Sequence, residues 1–185
     1  MTAKLKKYET IGCCGIDCGL CPRFYTKGSS TCPGCGGLNF KEAHPTCGIL
    51  TCCIKNGFET CAECKDYPCA RLVTTEAAGY DSFVTHKKMF ANLENIRANG
   101  IEQFIKNQRK RIDVLNLFLS NFDDGRSKSF FCISCTLLPV DKLLEAYEFA
   151  QKLEVKEKNK QLKGYLTAIA DELNIELKLN KKKAN

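Results

Sequence analysis

From residue 81 onward, apolar side chains recur at helical spacing. Phe83, His86, Phe90, Leu93 and Ile96 form one stripe, with Asp81 or Ser82 placed to cap a helix and Asn99-Gly100 placed to stop it. A second stripe runs through Ile101, Phe104, Ile105, Ile112, Leu115, Leu119 and Phe122, and Asp123-Asp124-Gly125 ends it. Ser129 to Leu138 reads as a short apolar helix. Pro139 suits the first position of a further helix to about Lys152, with Leu143, Leu144, Tyr147 and Ala150 inward. Glu157 to Leu173 reads as another, using Leu162, Tyr165, Leu166, Ile169 and Leu173. Ile175, Leu177 and Leu179 alternate with Glu176 and Lys178, which predicts a short strand.

Residues 1–72 show no such period. They hold about 20 non-cysteine hydrophobic residues, nine glycines and the turn-formers Pro22, Pro33, Pro45 and Pro68. A segment of this kind cannot bury enough apolar area to offset its conformational entropy. It does carry twelve of the chain's 14 cysteines, between Cys13 and Cys69. The resulting architecture is mostly α: a loop-rich, Cys-rich metal-binding N-terminal module over 1–72, and a helical region over 73–185 packed as one unit with it. The composition changes between Leu72 and Ala78, and this marks the boundary.

Met1 to Thr10 contain no apolar run of the signal-peptide type, and no stretch is long enough to span a membrane. A cytoplasmic protein is expected. Thiols are kept reduced there, so dense cysteine points to metal rather than disulfide. Coordination would supply the missing free energy, on the order of 10 kcal/mol per structural zinc.

The cysteines fall into four groups. Cys14-x3-Cys18-x2-Cys21 follows Cys13; Cys32-Pro33-Gly34-Cys35 is a tight knuckle; Cys47-x4-Cys52 lies beside Cys53; Cys61-x2-Cys64-x4-Cys69 closes the series. The two x2 pairs, Cys32/Cys35 and Cys61/Cys64, are the usual recipe for a tetrahedral site of four thiolates. The other six, Cys14, Cys18, Cys21, Cys47, Cys52 and Cys69, are enough for a second site, and spacing alone does not pair them.

The runs Cys14-Gly-Ile-Asp-Cys18-Gly-Leu-Cys21-Pro, Cys32-Pro-Gly-Cys35 and Cys61-Ala-Glu-Cys-Lys-Asp-Tyr-Pro-Cys69-Ala-Arg-Leu72 together resemble the DUF3795 family. These are bacterial and archaeal proteins without an assigned activity, regarded as zinc binders. The similarity continues through Leu93 to Ile101 and the helices after it. The resemblance implies a metal-binding domain with one or two zinc ions and no stated reaction. Its pattern falls on Cys14, Cys18, Cys21, Cys32, Cys35, Cys47, Cys52, Cys61, Cys64 and Cys69. Cys13 and Cys53 are additions to it, which leaves open which member of each adjacent pair ligates.

Other chemistries are weighed against this. Cys14-x3-Cys18-x2-Cys21 has the spacing of a radical-SAM cluster, but no alternating strand–helix pattern follows it. A [4Fe–4S] cluster of another kind needs only a fourth thiolate, and Cys69 is available. His44 sits between Cys35 and Cys47 as in a nucleic-acid-binding zinc knuckle, at unusual spacing; an exposed loop histidine is the simpler reading. Cys132 and Cys135, flanked by Phe130, Phe131, Leu137 and Leu138, read as core residues rather than a redox pair.

The net charge of +7 invites a nucleic-acid partner, but three of those charges are Lys181 to Lys183, read as a solvated tail. Each zinc held by four thiolates contributes −2, so two centres lower the total to about +3. The sequence therefore favours a zinc protein with an interaction or regulatory role, open to a protein partner. An iron–sulfur redox protein, a metal-dependent enzyme and a nucleic-acid binder are the alternatives. Asp17 reads as a turn cap or amide acceptor rather than a base.

Overall fold

The computed structural model describes residues 4–77, 79–154 and 157–181. Among them are eight α-helices and no strand: α1 (Phe40–Ala43), α2 (Gly48–Asn56), α3 (Ala70–Ala77), α4 (Met89–Asn99), α5 (Ile101–Phe122), α6 (Lys128–Leu137), α7 (Val140–Gln151) and α8 (Lys158–Glu172). The fold is mostly α, with a loop-rich cysteine segment packed on helices. Two compact units are present, one of residues 1–106 with 179–185 and one of residues 107–178.

In the second unit each helix follows its apolar stripe. Phe118 of α5 is fully buried, and its ring meets Phe131 at 5.4 Å and Tyr147 at 6.4 Å. α7 lies on α8, where Phe149 and Tyr165 stack at 4.4 Å. Most of α6 is buried, Cys132 and Cys135 included. Arg111 donates to the carbonyls of Cys135 and Leu138, satisfying groups that the end of α6 leaves without helical partners. Pro139 caps α7 from just outside it.

In the first unit the core draws on both sequence regions. Ile11, Phe40, Ile49 and Leu50 come from the cysteine-rich segment; Leu72, Met89, Leu93, Ile96 and Phe104 come from α3, α4 and the start of α5. The helices thus lend apolar surface that the loops lack. Asn92 of α4 makes the polar link, its Nδ2 donating to the Gly15 carbonyl at 2.9 Å and to Asp17 Oδ2 at 2.7 Å. Asp17 is an amide acceptor, as its setting in the sequence suggests. Glu59 accepts the backbone N–H groups of Lys7 and Tyr8, which ties the start of the chain to the segment before Cys61.

Two expectations are corrected. α4 begins at Met89, not at Asp81, and Phe83 is exposed. The Asp81 carboxylate instead holds a turn, accepting from His86 N at 2.7 Å and from Asn180 N at 2.7 Å. Residues 175–179 form no strand. Their alternating exposure is real, with Ile175, Leu177 and Leu179 half-buried, but the ladder partner a strand requires is missing. Ile175 N instead donates to Ala170 O at 2.8 Å, and the Asn180 carbonyl accepts from Asp81 N at 2.8 Å. Of the terminal lysines, 182 and 183 lie outside the described residues.

Replacing Phe118 by Ala should destabilise the second unit by roughly 3–5 kcal/mol. Urea unfolding followed by helical circular dichroism measures it, and a loss below about 1 kcal/mol contradicts the packing described.

Candidate metal centre

Four loops bring the cysteines together. The loop at residues 12–18 closes on itself, with Gly12 N donating to Ile16 O at 2.7 Å. It lies so close to α4 that a Cβ at Gly15 would stand 2.2 Å from the Met89 carbonyl. Two short 3-10 turns follow, Cys18–Leu20 and Pro22–Tyr25. The knuckle at residues 32–37 packs on residue 9: Cys35 N donates to Glu9 O at 2.9 Å, and Gly34 has φ +82° with its Cα against the same carbonyl. Cys47 caps α2, and Cys61 is joined to the first loop by Cys61 N donating to Cys13 O at 2.8 Å.

Cys14, Cys18, Cys21, Cys32, Cys35 and Cys47 line a single cavity of about 330 Å³. Backbone N–H groups approach several of these sulfurs: Ile16 at Cys14, Cys35 at Cys18, and Arg23 and Phe24 at Cys21. Such bonds favour thiolate, while burial opposes it. Burial is the larger influence here, pushing Cys14 up to about 12 and raising Cys18 and Cys21. Without a cation these thiols stay protonated; a bound cation reverses that preference. His44 is exposed, stacks on Phe40 at 4.7 Å and donates from Nδ1 to its neighbour's carbonyl, Pro45 O, at 2.9 Å. It borders the same cavity, as do Arg23 and Phe83, paired through a cation–π contact at 4.9 Å.

A second group lies beside the cavity. Cys35 Sγ donates to Cys13 Sγ at 4.0 Å, Cys13 also pairs with Cys53, and Cys53 Sγ stands 3.9 Å from Cys61 Sγ. Hydrogen bonds from Cys35 and Cys53 lower the Cys13 thiol and one from Cys53 lowers Cys61, while the same contacts raise Cys35 and Cys53. Lys6 is buried nearby, its Nζ donating to Ile11 O at 2.7 Å, and its charge favours thiolate at Cys13, Cys18, Cys35 and Cys61.

The adjacent cysteines therefore separate. Cys14 faces the cavity, whereas Cys13 joins the second group; Cys53 is buried in that group, whereas Cys52 is exposed and receives a contact from Asn56. The pairs Cys32/Cys35 and Cys61/Cys64 do not come together as one set of four. Cys64 ends the 3-10 turn begun by Cys61, and Cys69 precedes α3; both are half-buried outside the two groups. All 14 cysteines are free. Among the described residues, no three or more His, Cys, Asp or Glu side chains already stand as a cage that could hold an ion.

Sequence reasoning passed over Lys6, and for Cys13 and Cys53 it left open which member of each adjacent pair ligates. Lys6 carried no distinguishing signal, since it stands in a basic run with Lys4 and Lys7. Cys13 and Cys53 carried none beyond adjacency.

Residues 10–74 match the model of a family described as a protein of unknown function, DUF3795. The match takes in every cysteine from Cys13 to Cys69 and ends before α4, so it does not extend to Leu93–Ile101 or the later helices. No curated protein and no solved structure matches the chain.

Gly34→Ala should lower the thermal midpoint of the first unit by more than Gly57→Ala. Both positions have positive φ, costing roughly 1–2 kcal/mol, but only at Gly34 would the new Cβ meet backbone, at 2.3 Å from Glu9 O. Equal midpoints for the two variants would contradict the knuckle's packing.

Proposed function

We propose that the DUF3795 region of this chain is a zinc-binding module of a cytoplasmic protein, in which the metal is structural and the module's role is interaction or regulation. The observation that carries this reading is the convergence of six cysteines from three segments, 14–21, 32–35 and 47, on one cavity of about 330 Å³. The donor set fits the ion: thiolates alone satisfy a structural zinc, and four of Cys14, Cys18, Cys21, Cys32, Cys35 and Cys47 would complete a closed tetrahedral site. Backbone N–H groups aimed at Cys14, Cys18 and Cys21 orient these ligands and spread the charge they would carry. The free state of every cysteine agrees with a reducing compartment. No helix among the described residues is long and apolar enough to cross a membrane.

A structural role follows from where the cysteines sit. They lie where several loops meet, and zinc held there would contribute on the order of 10 kcal/mol to that assembly. The prediction is a colourless protein with at least one zinc per chain when purified without oxygen and measured by elemental analysis. Removing the zinc by chelation should expose residues 10–74 to protease while the helical signal of residues 107–178 persists. A brown protein whose visible absorption bleaches on reduction would instead place an iron–sulfur cluster on these cysteines and overturn the zinc reading. Unchanged protease resistance after verified metal removal would overturn the structural role.

A further inference from the structure

We infer that Cys13, Cys35, Cys53 and Cys61 form a second zinc centre, separate from the cavity. The sulfur spacings carry this. In a tetrahedral site with Zn–S bonds of ~2.3 Å, neighbouring sulfurs lie ~3.8 Å apart. Here Cys35 and Cys13 are 4.0 Å apart and Cys53 and Cys61 are 3.9 Å apart, with Cys13 bridging to Cys53. Thiolates on a cubane cluster stand farther apart, because each binds a different iron. The spacing suits one ion shared by four sulfurs.

Two further observations agree. Lys6 buries an ammonium beside these sulfurs, and a buried cation requires an opposite charge close by. A zinc tetrathiolate supplies a net −2 there. The backbone also holds three of the four residues together independently of their side chains: Cys61 N donates to Cys13 O, and Cys35 N donates to Glu9 O, two residues before the Ile11 carbonyl that accepts from Lys6. Because the metal-free arrangement is an open chain of sulfurs and not a cage, binding draws its two ends, Cys35 and Cys61, onto the ion. The proton balance is simple: each thiol that ligates gives one proton to solvent, and no oxidation occurs.

The cavity does not need Cys35. Five cysteines remain there, Cys14, Cys18, Cys21, Cys32 and Cys47, one more than a tetrahedral site takes. The adjacent pair Cys13-Cys14 thus serves two centres from one turn of chain.

The test uses the full chain, purified anaerobically, loaded with zinc(II), freed of excess and analysed for zinc per chain. The wild type should hold two, Cys53→Ser one, and the double variant Cys18→Ser/Cys21→Ser one, while Cys52→Ser keeps two. If Cys53→Ser fails to fold, Cys53→His keeps a ligand and is read by cobalt(II) titration: one of two binding steps should lose tetrathiolate absorption and gain that of a three-sulfur site. A wild type with one zinc that the double variant loses and Cys53→Ser retains overturns this centre and leaves the cavity reading standing. One zinc lost by Cys53→Ser and retained by the double variant does the reverse. A disulfide joining Cys13 to Cys35 or Cys53 to Cys61 in the anaerobic protein, or equal zinc loss from Cys52→Ser, also overturns it.

Discussion

The carboxamide of Asn92 reaches from α4 to the Gly15 carbonyl and the Asp17 carboxylate, and the arrangement of the first unit depends on that reach. It seats the loop at residues 12–18 directly on the helix backbone, at a separation only glycine allows. With the loop seated, Cys13 and Cys14 diverge to opposite sides, and Cys18 and Cys21 follow on the turns beyond. The sulfurs are positioned by a helix that carries no cysteine. The match to DUF3795, ending at residue 74, covers these cysteines but not α4, the element that they rest on.

Charge gives the same segment a second constraint. Burial holds several thiols protonated, and Lys6 and backbone N–H groups pull the other way. At Cys14, Cys18 and Cys21 burial is the larger of these opposing influences. The overall positive charge of the sequence is consequently a poor guide to partners, since part of it faces inward toward sulfur rather than outward toward a polyanion.

The helical part of the fold was legible in the sequence because its signal is local. The stripe through Phe104, Ile112, Leu115 and Phe122 and the Asp123-Asp124-Gly125 stop define α5 within the chain's own neighbourhood, although that stripe named Leu119 where Phe118 is the fully buried residue. Asp81 misled for the same reason: a capping residue before an apolar stripe looks the same whether it caps the helix or reaches Asn180, a partner 99 residues away. Ile175, Leu177 and Leu179 kept the alternation of a strand without a second strand to pair with. At the candidate site, the identity of the cysteines was readable from spacing, but their grouping was not. That Cys13 turns to Cys35 and Cys53 while Cys14 turns to the cavity depends on how four loops cross, and adjacency in sequence says nothing about it.

The first unit is discontinuous in sequence, taking residues 1–106 and then 179–185, with Asp81 and Asn180 joined by two backbone-anchored hydrogen bonds. Synthesis runs from one end of the chain to the other, so Asp81 emerges from the ribosome long before its partner exists. All of residues 107–178 must be made in between. The turn at residues 81–86 is therefore made without this partner, and all the cysteines are made before the unit that holds twelve of them is complete. A chain released between Cys135 and Asn180 would carry its full set of sulfurs and lack the tie.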